Sequence, residues 1–356
     1  LAPEFRYKID LCIFYPFIAY LVEHHKFANS IFFPFNVHSA MRRRVAKAPI
    51  QGSWRGDGKD SPIRHTVVLG DHFEAIGGVF DLWWERGCNP GSNREMESWK
   101  FYKRACRETR IPETIVSVSL ALLVEVYSIY HNLGGPPEAR KLFPSGNRYR
   151  LQYKNAPISD FGVCRGRIRG GNSRLQIWSY RNRGSADKTT VHDPENYYWM
   201  YFTTITGEEL TLDCSAFSFG MEATVEASPY IEKLPQLDEY ALKGCKRLPA
   251  YFRSPSRTTN EYVLVEEKRF SVMKNEDIPR VFNYDRTKGE KEDSQGQIHR
   301  ALSSFFYEVV GGRAGKAEAD LMIELFVSAS EILSQALYGK HWADWHKPRL
   351  RRGDSV

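Results

Sequence analysis

Nowhere in the 356 residues do two cysteines stand as C-x-x-C, and no N-x-[ST] triplet occurs. The six cysteines, at positions 12, 88, 106, 164, 214 and 245, are spaced too irregularly for a zinc knuckle or a thioredoxin-like redox pair. Free thiols in a reducing compartment are the expectation, and with the missing glycosylation acceptors they point to an intracellular protein, cytoplasmic or nuclear. A long clean apolar run is lacking too. Ile9 to Val22 is apolar and aromatic but holds Asp10 and Pro16, and it is too short to span a bilayer. No basic segment followed by an apolar stretch and a small-residue cleavage site precedes it, so a buried helix is expected and no membrane association. The chain lacks an initiator Met, which leads to the expectation of a fragment or processed chain with a further region upstream. Strong charge bias is absent as well: 50 basic residues against 43 acidic give +7, which permits nucleic-acid binding without indicating it.

What is present is ample material for a core. Hydrophobic residues make up 42% and aromatics 13%, enough apolar surface to offset chain entropy, and the length suits two domains or one large one. The best-specified element begins at Asn196, where NYYWMYFTTITGEELTLDCSAF reads as a β-hairpin. Tyr197 to Ile205 is β-branched and aromatic, Thr206-Gly207-Glu208 is turn chemistry, and Leu210, Leu212 and Cys214 alternate with Thr211 and Asp213. Residues 148–285 continue in period two, with RYRLQYK, RLQIWSY and EYVLVEEKRFSVM as further strands.

Residues 1–147 read as mainly helical, with a polar, exposed loop at QGSWRGDGKDSPIRH, a short strand at Thr66 to Leu69 and a helix over Arg94 to Thr109. Ile111-Pro112-Glu113 opens the strongest helix: proline fits the first turn, and Glu113 suits the positive end of the helix dipole. Residues 286–297 read as a linker, 298–345 as C-terminal helices and 346–356 as a disordered tail, either as separate parts or as one composite domain. Helices, then strands, then helices predict an α+β fold, with a mixed or antiparallel central sheet covered by N- and C-terminal helices.

The candidate chemistry is sparse. Cys214 with His192 as base, or with His72, and Asp213 beside it, is the one set that could carry a hydrolase or transferase, since a thiolate needs only a nearby imidazole. The same alternation points Cys214 toward the core with Leu210 and Leu212, which favours a packed thiol. Glu208-Glu209 point to opposite faces and form no dyad. His24-His25, His38, His65 and His72 lack the i, i+4 spacing of a metal site, so no metal is expected. Gly166 to Gly171 precedes a strand, and Gly311 to Lys316 lacks the glycine and hydroxyl positions of a phosphate loop, so nucleotide binding is rejected at both. Arg165, Arg167, Arg169 and Arg174, with Trp178 and Tyr180 interleaved, are the candidate nucleic-acid surface, though a solvated face is the plainer reading.

Six blocks in order, RYKIDLCIFYPFIAYLVE, HTVVLGD, ETIVSVSLALLVEVY, RYRLQYKNAPISDFGV, NYYWMYFTTITGEELTLDCSAFSFGM and KRFSVMKNED, resemble a family of largely uncharacterised proteins of mushroom-forming fungi, over roughly residues 5–330. Those proteins often carry an N-terminal MYND-type zinc finger, generally a protein-interaction module. The resemblance implies that zinc would belong to a finger upstream of Leu1, that this chain holds no cofactor, and that no catalytic residue carries over. No N-H-S-C-like signature of a methyltransferase is present. The expectation is a non-catalytic protein-interaction or scaffold region with a protein partner.

Overall fold

The computed structural model describes residues 7–32, 43–52, 63–72, 110–127, 149–170, 175–182, 188–190, 193–220, 223–226, 230, 247–253, 262–282, 294–312, 314–346, 348 and 350–352. The fold is α+β, with helices against a mixed, mostly antiparallel sheet. The main sheet has seven strands: β1 (Tyr7–Asp10), β4 (Tyr149–Tyr153), β5 (Ala156–Gly170), β8 (Tyr197–Thr204), β9 (Glu209–Asp213), β12 (Tyr251–Arg253) and β13 (Tyr262–Ser271). β1 joins β4 in parallel, and the other pairings are antiparallel. Gly162 to Gly166 of β5 pair with both β8 and β13, so those two strands lie on opposite edges of it.

The central hairpin forms as its residues predict. Thr204 and Glu208 close the β8–β9 loop through the Glu208 carbonyl and the Thr204 amide at 2.9 Å, and Gly207 takes the positive φ of 81° that the turn needs. β4 and β5 meet at Lys154-Asn155, both left-handed at φ 47° and 69°, the conformation that matches a tight hairpin to strand twist.

Helices cover one face of this sheet. They are α1 (Leu11–Phe32), α2 (Ile111–Leu122, running into a π-turn over Leu123–Tyr127), α3 (Asp277–Phe282), α4 (Ser294–Val310) and α5 (Lys316–Tyr338). α2 lies on β5 and β8 and touches α1, α4 and α5, which explains why its sequence is apolar nearly all round. Phe161 and Phe202 stack beneath it at 5.9 Å, both fully buried; each contributes about 2–3 kcal/mol of apolar burial. Among the described residues no helix is long and apolar enough to cross a membrane.

Among the described residues two smaller sheets stand beside the main one. One orders β2 (Arg43–Gly52), β3 (Ile63–His72), β6 (Gln176–Asn182) and β7 (Lys188–Thr190), and the other orders β11 (Arg247–Pro249), β10 (Ala223–Glu226) and β14 (Leu350–Arg352). Four expectations change here. The N-terminal part contributes strands to two sheets, and the supposed exposed loop ends inside β2 on one side and begins β3 on the other. β3 pairs in parallel with β6, more than a hundred residues on, a partner invisible to local patterning. The tail expected to be disordered supplies β14, paired antiparallel with β10, and the last residues of the expected linker are the first turn of α4. The helix expected over Arg94 to Thr109 lies outside the described residues.

The main sheet coils strongly. β12 and β13 are separated in the order by β5, β8 and β9, which in a flat sheet would put them about 19 Å apart. The rings of Tyr251 in β12 and Tyr262 in β13 nevertheless meet edge to face at 5.3 Å. The face away from the helices therefore closes into a trough, filled by Cys164, Ile168, Tyr197, Trp199, Tyr201 and Phe219 with the two tyrosines. Coiling needs room at β5. A Cβ on Gly166 would stand 2.1 Å from the Val265 carbonyl oxygen, and one on Gly162 2.0 Å from that of Phe270. A bulge in β13 between Glu266 and Lys268 adds local twist at the same place.

Candidate functional site

Asp213 ends β9 on the trough side, 1% exposed. Its Oδ1 accepts from the Tyr197 hydroxyl at 2.6 Å and from the backbone amides of Ser215 and Ala216 at 2.8 and 3.1 Å. Its Oδ2 accepts from the Tyr262 hydroxyl at 2.9 Å. The backbone contacts start the 3₁₀ turn at Ala216–Phe219, whose Phe219 ring packs edge-on against Tyr197 at 5.7 Å. One carboxylate thus joins β8, β9, β13 and the turn that roofs the trough. Burial, then the Asp213 charge, holds the Tyr197 phenol far above its ordinary range, so Tyr197 is a donor.

Cys214 follows on the opposite face. It is 2% exposed and packs in the helix-side core with Leu210 and Leu212. Adjacent residues of a strand point opposite ways, so Asp213 and the Cys214 thiol serve different layers. His192 lies outside the described residues, and His72, though in β3, has a side chain outside them as well. His65 stacks on Trp178 at 4.3 Å.

A second polar group at the far end of the trough escaped the sequence reading. Asp160, 5% exposed, accepts from Ser271 Oγ at 2.5 Å and Tyr201 OH at 3.2 Å, and pairs with Lys274 Nζ at 2.9 Å. Beside it Arg269 lies over the Tyr201 ring at 4.4 Å and grips two carboxylates, Glu209 at 2.6 Å and Glu266 at 2.7 Å. The Cys164 thiol donates to Glu266 at 3.3 Å, and burial pushes its pKa far up, so this sulfur is a poor nucleophile at neutral pH. The hydrogen bond from Arg269 is the main reason the Glu266 carboxyl sits below its ordinary range. Asp160 stands 41 to more than a hundred positions from the Tyr201, Ser271 and Lys274 groups that meet it, and only period-two placement on one face hinted at that meeting.

Three of the four candidate nucleic-acid arginines, Arg165, Arg167 and Arg169, lie along one face of β5, and each is engaged. Arg165 donates to the Val309 carbonyl at 2.9 Å, capping the C-terminus of α4. Arg167 pairs with Glu267 at 2.7 Å, and Arg169 forks onto Glu195 at 3.2 and 3.3 Å. Arg174 lies outside the described residues. The glycine turn before α5 is also occupied: the Glu318 carboxylate accepts from the Gly315 amide at 2.9 Å, where an anion would have to bind. Glu208 pairs with Lys154 at 3.2 Å and Glu209 with Arg269, so the two acids at the hairpin work apart.

Comparisons with known protein families, with curated proteins and with solved structures found no match. The fold must therefore speak through its own chemistry. Among the described residues no three His, Cys, Asp or Glu side chains cluster as metal ligands. The polar groups that do converge, around Asp213 and Asp160, use their lone pairs on neighbouring strands. What that arrangement can do is hold a coiled sheet in one shape.

Proposed function

We propose that this chain is a non-catalytic protein-interaction or scaffold region, of the kind that accompanies MYND-type fingers in the fungal proteins it resembles, with any zinc held by a finger outside this chain. The observation that carries the reading is Asp213. The most chemically promising carboxylate of the central hairpin accepts four hydrogen bonds from its own fold, and the neighbouring Cys214 is packed among leucines. Groups committed in this way stiffen a platform whose outer surface is left for a partner.

The pairing of Arg167 and Arg169 with glutamates, and the commitment of Arg165 to a helix end, supports a protein partner over a phosphate backbone. A transferase or hydrolase using Cys214 and His192 would need the thiol to leave the core.

The test compares wild type with Cys214→Ala in a screen of hydrolase and transferase substrates, alongside thermal unfolding. The expected result is a lower melting temperature and no turnover in either protein. A turnover that disappears in a normally folded Cys214→Ala chain overturns the proposal. So does salt-sensitive binding of a mixed DNA or RNA pool that is lost in Arg165→Ala/Arg167→Ala/Arg169→Ala.

A further inference from the structure

Glu113 does not behave as a first-turn glutamate should. The helix dipole favours an exposed, ionised carboxylate there, yet Glu113 is 8% exposed, and its Oε2 is buried with no hydrogen-bond partner. It faces α5. One turn further along α2, Ser117 Oγ lies 2.7 Å from the Met322 carbonyl of α5 and 2.6 Å from the Glu113 carbonyl, in position to donate to either. Residues 113 and 117 on α2 therefore oppose 318 and 322 on α5, each pair one helical turn apart.

Among the described residues, two charges bear on Glu113. Arg110, left-handed at φ 63° just before α2, favours its ionised form, and Glu318 in the first turn of α5 opposes it. Burial, with Glu318 acting in the same direction, outweighs the Glu113 backbone hydrogen bond and Arg110 and pushes the Glu113 carboxyl up to about 7, while desolvation also lowers the Arg110 pKa. Arg110 stands close enough to both Glu113 and Glu318 to act on each, and burial disfavours a charge on Glu113.

We propose that Glu113 is a proton-operated latch at the α2–α5 contact: protonated, it lets α2 seat against α5, and ionised, with its Oε2 buried and unpartnered among the described residues, it loosens that seam. The linkage has a definite sign. Because the folded carboxyl is raised above its unfolded value of 4.5, its contribution is full below that value and is lost as pH rises toward 7. α2 lies against β5 and β8, so loosening at this end reaches the main sheet.

The experiment measures urea unfolding of the whole chain from pH 5 to pH 8, for wild type, Glu113→Gln and Glu318→Gln. Wild type is expected to lose folded-to-unfolded ratio on the order of tenfold to a hundredfold across this range. Glu113→Gln should lose none of that increment, and Glu318→Gln should shrink the loss and end it at lower pH, because the folded Glu113 value then lies closer to the unfolded one. Parallel pH profiles for wild type and Glu113→Gln would overturn the latch. If Glu113→Gln fails to fold, ¹³C-carboxyl NMR of the wild type decides instead. A Glu113 resonance titrating near neutrality upholds the proposal, and one titrating in the ordinary carboxylate range defeats it.

Discussion

Tyr197 donates its phenolic proton to Asp213 across 2.6 Å, from the first residue of β8 to the last of β9. That contact pins the open end of the hairpin, while the Thr204 and Glu208 backbone closes the other. Tyr262 reaches the same carboxylate from β13, so Asp213 also fixes how far the sheet curls.

Removing either phenol should therefore destabilise the chain without touching the helices. Tyr197→Phe and Tyr262→Phe are each expected to cost about 1.5–3 kcal/mol, as hydrogen bonds to a buried charge do. Asp213→Ala should cost more than either, about 3 kcal/mol or above, because it strands two phenols and two amides. Urea midpoints with a Tyr197/Asp213 double-mutant cycle measure this; additive effects would show that the contact carries no coupling.

Gly166→Ala should be among the worst conservative substitutions. The new methyl meets the Val265 carbonyl at 2.1 Å and the Trp199 ring at 3.0 Å, so the β5–β13 pairing must shift, at about 2–3 kcal/mol. Gly207→Ala places its methyl in open space and meets only the strain of φ 81°, about 1 kcal/mol. Thermal melts of the two variants should rank in that order.

Arg165→Ala and Arg169→Ala should differ although both lie on one face of β5. Arg165 caps α4 and lies 5.6 Å from the Phe270 ring centre, so its loss should cost about 1–2 kcal/mol. Arg169 makes an exposed ion pair and should stay within about 0.5 kcal/mol of wild type. Equal effects in chemical denaturation would contradict the capping role.

The tyrosines forecast a sharp alkaline transition. Burial holds Tyr15, Tyr20, Tyr127, Tyr197 and Tyr201 far above the ordinary phenol range and pushes Tyr149 and Tyr230 up to about 12. The fold prefers each phenol neutral, so their contribution is full below about pH 10 and is lost as pH rises beyond it. Absorbance at the phenolate band should rise together with loss of helical circular dichroism. Smooth phenolate titration of a chain that stays folded would refute this.

Much of the local architecture was legible. The β8–β9 hairpin, the strands at 149–153 and 262–271, and the start of α2 at Ile111 follow from alternation, turn residues and a proline at the first turn. Glu113 shows where that reading stops. Its position at a helix start is visible in the sequence, but its burial is not, and desolvation there outweighs the backbone hydrogen bond and Arg110 that favour the charged form. The arginines of β5 likewise form a clear stripe, while the Val309 carbonyl and the glutamates that engage them lie far along the chain.

Taken alone, the order of residues determined the class of fold and the two faces of its central strands, because those depend on contacts between near neighbours. Only tertiary structure decided that β1 and β3 join distant strands in parallel, that residues 350–352 form a strand and that Asp213 collects two tyrosines. Such pairings are set by which surfaces remain unburied once the helices have packed, a property of the whole chain that no local window contains.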